Sequence, residues 1–406
     1  MLSVNRWWIV FASFCALLVG SGVVNIFASG IFLVPVTQEL GISRGDYTFG
    51  LLVNGVFTAV AVFLFGFLYD LYGVRRILLP GILLCAVATY LYSQMTPNLA
   101  LLYLIFGFAG LVGGAQTPMG YTTVINQWFD RQRGLALGIA TAGVGLGVVF
   151  VPQLVTRLMA GYGWRGAYMG LAAAIVVLAF IPALLFIRNP PTVEKQGRVS
   201  TEHLPGMTAA EAFKTWRFWV LTIIFFVAVM AINGTITNVV ALLRDRGVAP
   251  QDAVVALSFA GGAIIIGRMI AGWFLDRVWG SYVAIFFFSL SIIGIGLLAS
   301  GAIGTPAFIG AMLCGAGIGA EIDLMGYLMS RYFGLKAFGK IYGLMFVFFN
   351  VGTGLGPFLS GSSFDKYKSY TPILTVYMVA LVVVCILLLL LGPYVYKPTE
   401  EDTVAK

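Results

Sequence analysis

Gly66-Phe67-Leu68-Tyr69-Asp70 ends one long apolar run of the chain, and Gly272-Trp273-Phe274-Leu275-Asp276 ends another, 206 residues later. A second pair of segments repeats at nearly the same interval. Trp128-Phe129 with Gly134, Gly138, Gly147 and Pro152 returns as Tyr332-Phe333 with Gly339, Gly343, Gly352 and Pro357. Gly134 to Pro152 and Gly339 to Pro357 both span 18 positions. Two motif sets at nearly one offset indicate two similar halves. In membrane proteins built this way the ligand site lies between the repeats, near the bilayer midplane.

The stretches between these motifs are apolar. Of 406 residues, 60% are hydrophobic and 10% charged, and the mean hydropathy is +0.96; soluble domains carry about 25% charged residues. A cytosolic enzyme and a compact nucleic-acid binder are excluded on that ground. The formal net charge of +8 fits a membrane protein with basic cytoplasmic loops. Cys15, Cys85, Cys314 and Cys385 fall singly within apolar runs, which suits small core residues and neither a disulfide framework nor a metal site. No cofactor and no metal are expected.

A membrane-crossing helix needs about 20 apolar residues. Twelve runs qualify: 7–35, 46–69, 77–95, 98–125, 134–159, 165–187, 216–242, 252–275, 281–302, 305–329, 339–361 and 370–396. The first is too long and uninterrupted for a signal peptide and is read as retained. The expected architecture is an all-α membrane protein with twelve transmembrane helices in two pseudo-symmetric six-helix bundles, 1–187 and 216–396. A cytoplasmic linker, 188–215, holds Pro190, Pro191 and the only histidine, His203, and a tail follows at 397–406. Within the linker, Thr208-Ala209-Ala210-Glu211 has the spacing of a capping box and predicts a short helix. Twelve crossings put both termini on one side. That side then holds sixteen of the 24 bases, the opposite side seven, and Arg268 stays within the membrane. The positive-inside rule predicts cytoplasmic termini. The expected location is the plasma membrane, multi-pass, or the inner membrane of a Gram-negative source.

With these segments in view, the chain resembles the major facilitator superfamily over essentially its whole length. Gly66-x-Leu68-x-Asp70-x-x-Gly73-x-Arg75-Arg76 is similar to that family's loop between spans two and three. The resemblance implies a gating loop that locks the halves on the cytoplasmic side, with Asp276 and Arg277 in the second copy. That copy departs from the first, since its glycine is Gly280 and the arginine pair is missing. A narrower resemblance, to the monocarboxylate and oxalate/formate porter group, is carried by Trp128-Phe129-Asp130-Arg131-x-Arg133-Gly134-x-Ala136-x-Gly138 and by Gly267-Arg268-x-x-x-Gly272. It implies that Arg268 holds a substrate carboxylate. Two features differ from that group: span one has no lysine, and Ile264 stands where proton-linked members often have an aspartate. Aligned on Tyr342-Gly343, the lysine of oxalate-type members is replaced by Phe349.

Arg268, Glu321 and Asp323 are the three ionisable residues placed well inside spans. Each costs about 2.5–3.5 kcal/mol at a helix centre, so such residues face the bundle interior and serve function. Arg268 lies eight residues before Asp276 and Asp323 eight before Arg331, about 12 Å along a helix in both cases, so they sit at similar depth. Arginine offers a planar fork to a carboxylate but carries no proton. The alternative is permanent pairing of Arg268 with Asp323 or Glu321, and substrate that displaces such a partner reconciles the two. Glu321 and Asp323 are the proton-coupling candidates. Residues two apart point about 200° apart on a helix, and Asp323, sharing a face with Tyr327, is preferred. Further lining candidates are Asn25, Ser29, Gln116, Thr117, Tyr121, Asn233, Asn238, Phe349 and Asn350; the repeat sets Thr117 opposite Glu321.

One fixed cation balances a monoanion and leaves a dicarboxylate with a bare charge. The expected function is a secondary active transporter of a small organic anion, a monocarboxylate first, by proton symport or anion exchange. The alternative is an exporter of drugs or other small molecules on the same fold. A membrane enzyme is disfavoured, because no nucleophile–base pair, metal cluster or phosphate loop is present in the sequence. The expected partners are the organic anion, protons where coupling operates, and lipid, with no nucleic acid; a monomer is expected.

Overall fold

The computed structural model describes residues 5–129, 132–188, 206–334 and 336–396. Pro190, Pro191 and His203 of the linker, Asp130, Arg131, the 397–406 tail and the side chain of Asp70 lie outside the described residues. The first half contains α1 (Trp7–Leu18), α2 (Ser29–Leu40), α3 (Arg44–Tyr72), α4 (Val74–Tyr92), α5 (Leu99–Gly113), α6 (Pro118–Trp128), α7 (Arg133–Ala174) and α8 (Ile181–Phe186). A short α9 (Ala209–Lys214) follows, then α10 (Trp216–Asp245), α11 (Pro250–Leu275), α12 (Gly280–Ala299), α13 (Thr305–Phe333), α14 (Phe338–Tyr367) and α15 (Thr371–Leu390). Among the described residues no strand occurs. The α9 helix opens with a closed capping box: the Glu211 N–H donates to the Thr208 hydroxyl at 3.3 Å, and the Thr208 N–H donates to the Glu211 carboxylate at 2.8 Å. These bonds hold the Glu211 carboxyl below its ordinary range.

Eleven helical stretches are long and apolar enough to cross a membrane, where the sequence predicts twelve runs. The difference lies in residues 133–186, one apolar stretch of 54 residues. Drawn straight, such a helix would measure about 80 Å, far beyond a hydrocarbon core of about 30 Å. Gly163 breaks it with φ 66° and ψ −178°, a backbone that side-chain-bearing residues rarely adopt. The chain folds back there. Leu158 comes within 2.6 Å of the position a Cβ on Gly170 would take, a contact that twelve residues of continuous helix would forbid.

Between the halves, the substantial packing runs through α3 with α14, α7 with α11, and α2 with α10. Glycine makes each contact close. A Cβ on Gly55 would stand 2.7 Å from the Asn350 carbonyl, one on Gly354 2.7 Å from that of Leu51, and one on Gly261 2.9 Å from the Val149 nitrogen. Among the described residues the seam gathers toward one end of the bundle, the end carrying the Gly41–Ser43 turn. The α7 and α11 helices touch where Gln153 donates to Ser258 at 3.0 Å and where Gly145 meets Ile265. Further along, Gly138 of α7 and Gly272 of α11 meet nothing within 4 Å, and neither do Gly339 and Gly343 of α14. Among the described residues the halves are therefore closed at one end and parted at the other.

A charged cluster fastens the closed end. The Ser43 side chain caps α3, so Arg44 sits in the first turn, where backbone N–H groups lack helical partners. Asp365 of α14 accepts two of them, from Arg44 at 3.1 Å and Gly45 at 2.6 Å. The Arg44 guanidinium forks onto Asp245 of α10 at 2.6 and 2.8 Å and donates to Tyr370 at 2.8 Å. It lies 3.7 Å above the Phe364 ring. All of these partners belong to the second half. Arg44→Ala is expected to weaken the closure by about 1.5–3 kcal/mol, the range for hydrogen bonds to charged groups. A cysteine at Thr48, buried in this seam, should then react with a membrane-impermeant maleimide about fivefold faster or more. Equal rates with and without Arg44 would remove the cluster's role as a fastener.

Candidate functional site

A cavity of about 190 Å³ lies between the halves, just below the seam. Local irregularities in the first half open it. The backbone widens to a π-helical turn at Val23–Phe27, a feature frequent at functional sites, and Asn25 from its middle lines the cavity. The fourth run is interrupted as well. Gly113 and Gly114 weaken the helix, and Pro118 disfavours α geometry in the residue before it. Gly114–Gln116 tightens to a 3₁₀ turn and Thr117 is extended, with φ −77° and ψ 161°. The carbonyls released there find partners: Ala115 accepts from the Tyr69 hydroxyl at 2.9 Å and Gly114 from Thr117 at 3.0 Å. Gln116 and Thr117 face the cavity. Non-helical backbone lining a polar cavity at mid-depth is how many transporters make a binding site.

The second half supplies the charge. A Cβ on Gly267 would stand 2.6 Å from the Ala316 carbonyl, so α11 and α13 run in backbone contact. That approach puts Arg268 beside Asp323, with Nε to Oδ2 at 3.4 Å. The contact is an ion pair but too long for a good hydrogen bond, and the Arg268 Nε has no hydrogen-bond partner. Arg268 and Asp323 keep 30% and 40% of their side-chain surface, at the point where the halves begin to part. Among the described residues Arg268 is the one cation lining the cavity. Glu321 lines it too, 1% exposed, and its Oε1 has no partner.

Of the residues expected from sequence, the cavity gathers Arg268, Glu321, Asn25, Gln116, Thr117, Phe349 and Asn350, and Asn233 with them. Asp323 reaches Arg268 from the side and is not among the lining residues, whereas Glu321 is; the two acids diverge because they are two apart on one helix. Tyr327 does not join the site. It faces the other way, under the Arg331 guanidinium at 4.9 Å and against Tyr394. Tyr121 is fully buried inside the first half, near Tyr69 and Cys85. Asn238 donates back to the Gly234 carbonyl of its own helix at 3.0 Å. Ser29 does likewise to Ile26 at 2.7 Å. Asn54, Thr58, Thr237 and Thr353 line the cavity without having been singled out. Asn54 carried the same signal as Asn25, an amide within an apolar run; the threonines carried none, because a threonine hydroxyl in an apolar helix can bond back to its own turn, as Thr58 does to Asn54 and Thr353 to Phe349.

Of the gating-loop residues, Gly66, Gly73, Arg75 and Arg277 make their contacts within their own halves. Gly66 packs on Met119, and Gly73 joins α3 to α4 with φ 81°. Arg75 donates to the Leu184 carbonyl at 3.1 Å, Arg76 is exposed, and Arg277 donates to Trp273 at 2.9 Å. Asp276 ends α11. Through these bonds neither Arg75 nor Arg277 reaches the other half.

Helices that cross a membrane many times and enclose a polar cavity between two halves define a membrane transporter. The chain belongs to the Major Facilitator Superfamily, whose family model matches residues 9–357, and its relatives are transporters and not enzymes. It is 24% identical over 420 aligned residues to the uncharacterized MFS-type transporter YcxA of Bacillus subtilis, covering 98% of this chain and 97% of that one. To the uncharacterized MFS-type transporter YhjX of Escherichia coli it is 25% identical over 324 residues, 77% of each chain. To monocarboxylate transporter 13 of Bos taurus it is 28% identical over 305 residues, 74% of this chain and 69% of that one. A crystal structure of the nucleoside transporter NupG superposes with a TM-score of 0.76 over 95% of this chain and 99% of that one, at 14% identity. That likeness speaks for the fold alone.

Removing one member of an ion pair leaves the other charge uncompensated. Arg268→Ala is therefore expected to lower thermal stability in detergent, by about 1–2 kcal/mol for a pair this exposed. Arg268→Ala with Asp323→Asn should regain most of that loss. A double variant as unstable as the single one would mean that the pair is not coupled.

Proposed function

We propose that this chain is a secondary transporter of a small organic monoanion, a monocarboxylate first, working by alternating access with proton symport or anion exchange. The observation that carries the reading is Arg268, among the described residues the one cation on the cavity wall, whose Nε lies 3.4 Å from Asp323 and makes no hydrogen bond. A guanidinium held beside, but not fully engaged by, a carboxylate can exchange that partner for a substrate carboxylate. The similarity to monocarboxylate transporter 13 supports the same class. In this reading the fold-back at Gly163 makes twelve crossings, with both termini cytoplasmic and the chain in the plasma membrane, or in the inner membrane of a Gram-negative source. The closed seam then faces outward and the parted end faces the cytoplasm. Glu321 and Asp323 are the groups proposed to carry protons.

The unpartnered Glu321 oxygen in the cavity favours a second reading, export of a cationic compound. Arg268 separates the two, because an exporter of cations would not need it. In proteoliposomes, uptake of labelled lactate, pyruvate, acetate or aromatic acids should occur with or without a pH gradient according to the coupling. Arg268→Lys, which keeps the charge and loses the fork, should lower kcat/KM about tenfold or more, the ratio given by 1.4 kcal/mol. Full uptake by that variant would refute the carboxylate site. Glu321→Gln or Asp323→Asn should abolish accumulation driven by pH if symport operates; if both retain it, neither acid couples.

A further inference from the structure

Four rings are stacked in succession along one face of α14. Between centroids, Phe338 and Tyr342 are 5.5 Å apart and 22° from coplanar, Tyr342 and Phe346 5.8 Å and 17°, and Phe346 and Phe349 5.6 Å and 7°. Spacings of four, four and three residues keep them on a single stripe. Core packing accounts for one side of this stripe, since Phe349 is buried and Phe338, Tyr342 and Phe346 are partly buried against the core; Gly339 and Gly343 between them meet nothing within 4 Å. The strip begins at the parted end of the bundle, and its inner pair, Phe346 and Phe349, lines the cavity with Arg268. Midway, the Tyr342 ring lies 3.8 Å from where a Cβ on Gly326 would be, one turn beyond Asp323. Tyr342 is within electrostatic reach of both Arg268 and Asp323. A row of aromatic rings therefore runs along α14 to the cavity that Arg268 lines.

Aromatic side chains favour a planar π partner over a saturated one of equal size, because offset-stacked quadrupoles attract beyond the burial of area. The available space agrees. An apolar cavity of about 150 Å³ is enough to hold benzene, and this one, at about 190 Å³, has room for one ring with a carboxylate. The two requirements, an anion for Arg268 and a flat apolar body for Phe346 and Phe349, meet in one chemical class.

We propose that the substrate of this site is an aromatic monocarboxylate, with its carboxylate on Arg268 and its ring against Phe346 and Phe349. Tyr342 and Phe338 form the approach strip. This rests on the anion-transport reading of Arg268 and adds the ring.

Equilibrium binding to the purified, detergent-solubilised protein is the suitable test, because uncharged benzoic acid crosses bilayers unaided. Benzoate and cyclohexanecarboxylate share a six-membered ring and a carboxylate and differ in the π system. Benzoate is expected to bind about fivefold more tightly or better, the ratio that about 1 kcal/mol gives. Phe346→Leu and Phe349→Leu should each bring that ratio toward one, by lowering benzoate affinity more than cyclohexanecarboxylate affinity. Phe349→Trp, which keeps a π face, should retain the preference and guards against a merely misfolded leucine variant. Equal affinity for the two acids, or a preference that survives both leucine changes, overturns the aromatic proposal and leaves the anion site standing. Failure of every carboxylate tested to bind, or binding indifferent to Arg268→Lys, overturns both.

Discussion

Helices surrounded by hydrocarbon gain little by exchanging lipid for another helix's apolar side chains, so their association depends on how closely the backbones approach. This protein meets that constraint with glycine. Gly55 and Gly354 bring α3 and α14 together, Gly261 brings α11 against α7, and Gly267 with Gly319 presses α11 onto α13. The last of these contacts serves the site directly, because it carries Arg268 to Asp323. Where glycines of the same helices meet nothing, at Gly138, Gly272, Gly339 and Gly343, the halves part. The same residue type that seals one end of the bundle stands open at the other.

Charge is distributed with similar economy. The cation–carboxylate cluster around Arg44 fastens the closed end with backbone and side-chain bonds that all cross from one half to the other. Deeper in, the first half contributes amides and hydroxyls to the cavity, such as Asn25, Asn54 and Thr117, while both charged lining residues, Arg268 and Glu321, belong to the second. A substrate bound between them would engage neutral groups on one side and charged groups on the other. The asymmetry overlies two halves that the glycine motifs mark as similar.

The helices were legible because crossing a membrane demands long apolar runs, and a residue that breaks this rule, such as Arg268 or Glu321, stands out in the sequence. The limits have equally definite causes. Tyr327 and Asp323 share a helical face, but that face turns partly toward the Arg331 and Tyr394 end, and periodicity within one helix does not say which neighbour it meets. Tyr121 looks like a lining residue in a polar segment, yet the 3₁₀ turn and Pro118 reorient α6 and leave it inside the first half. The Arg44 cluster joins residues about 200 and 320 positions apart, and no local pattern announces a pairing over that distance.

The repeat, the apolar runs and the three ionisable residues set within them follow from the order of the amino acids, because the bilayer penalises each unsatisfied polar group wherever the chain folds. Tertiary structure alone decides which polar groups share a cavity. Glu321 enters it and Asp323 stands aside at the edge of Arg268; the stripe from Phe338 to Phe349 reaches the cavity only through its inner pair, Phe346 and Phe349. These relations depend on how far apart whole helices lie. That distance is set by backbone contacts at a few glycines, and it is a property of pairs of helices and not of any one of them.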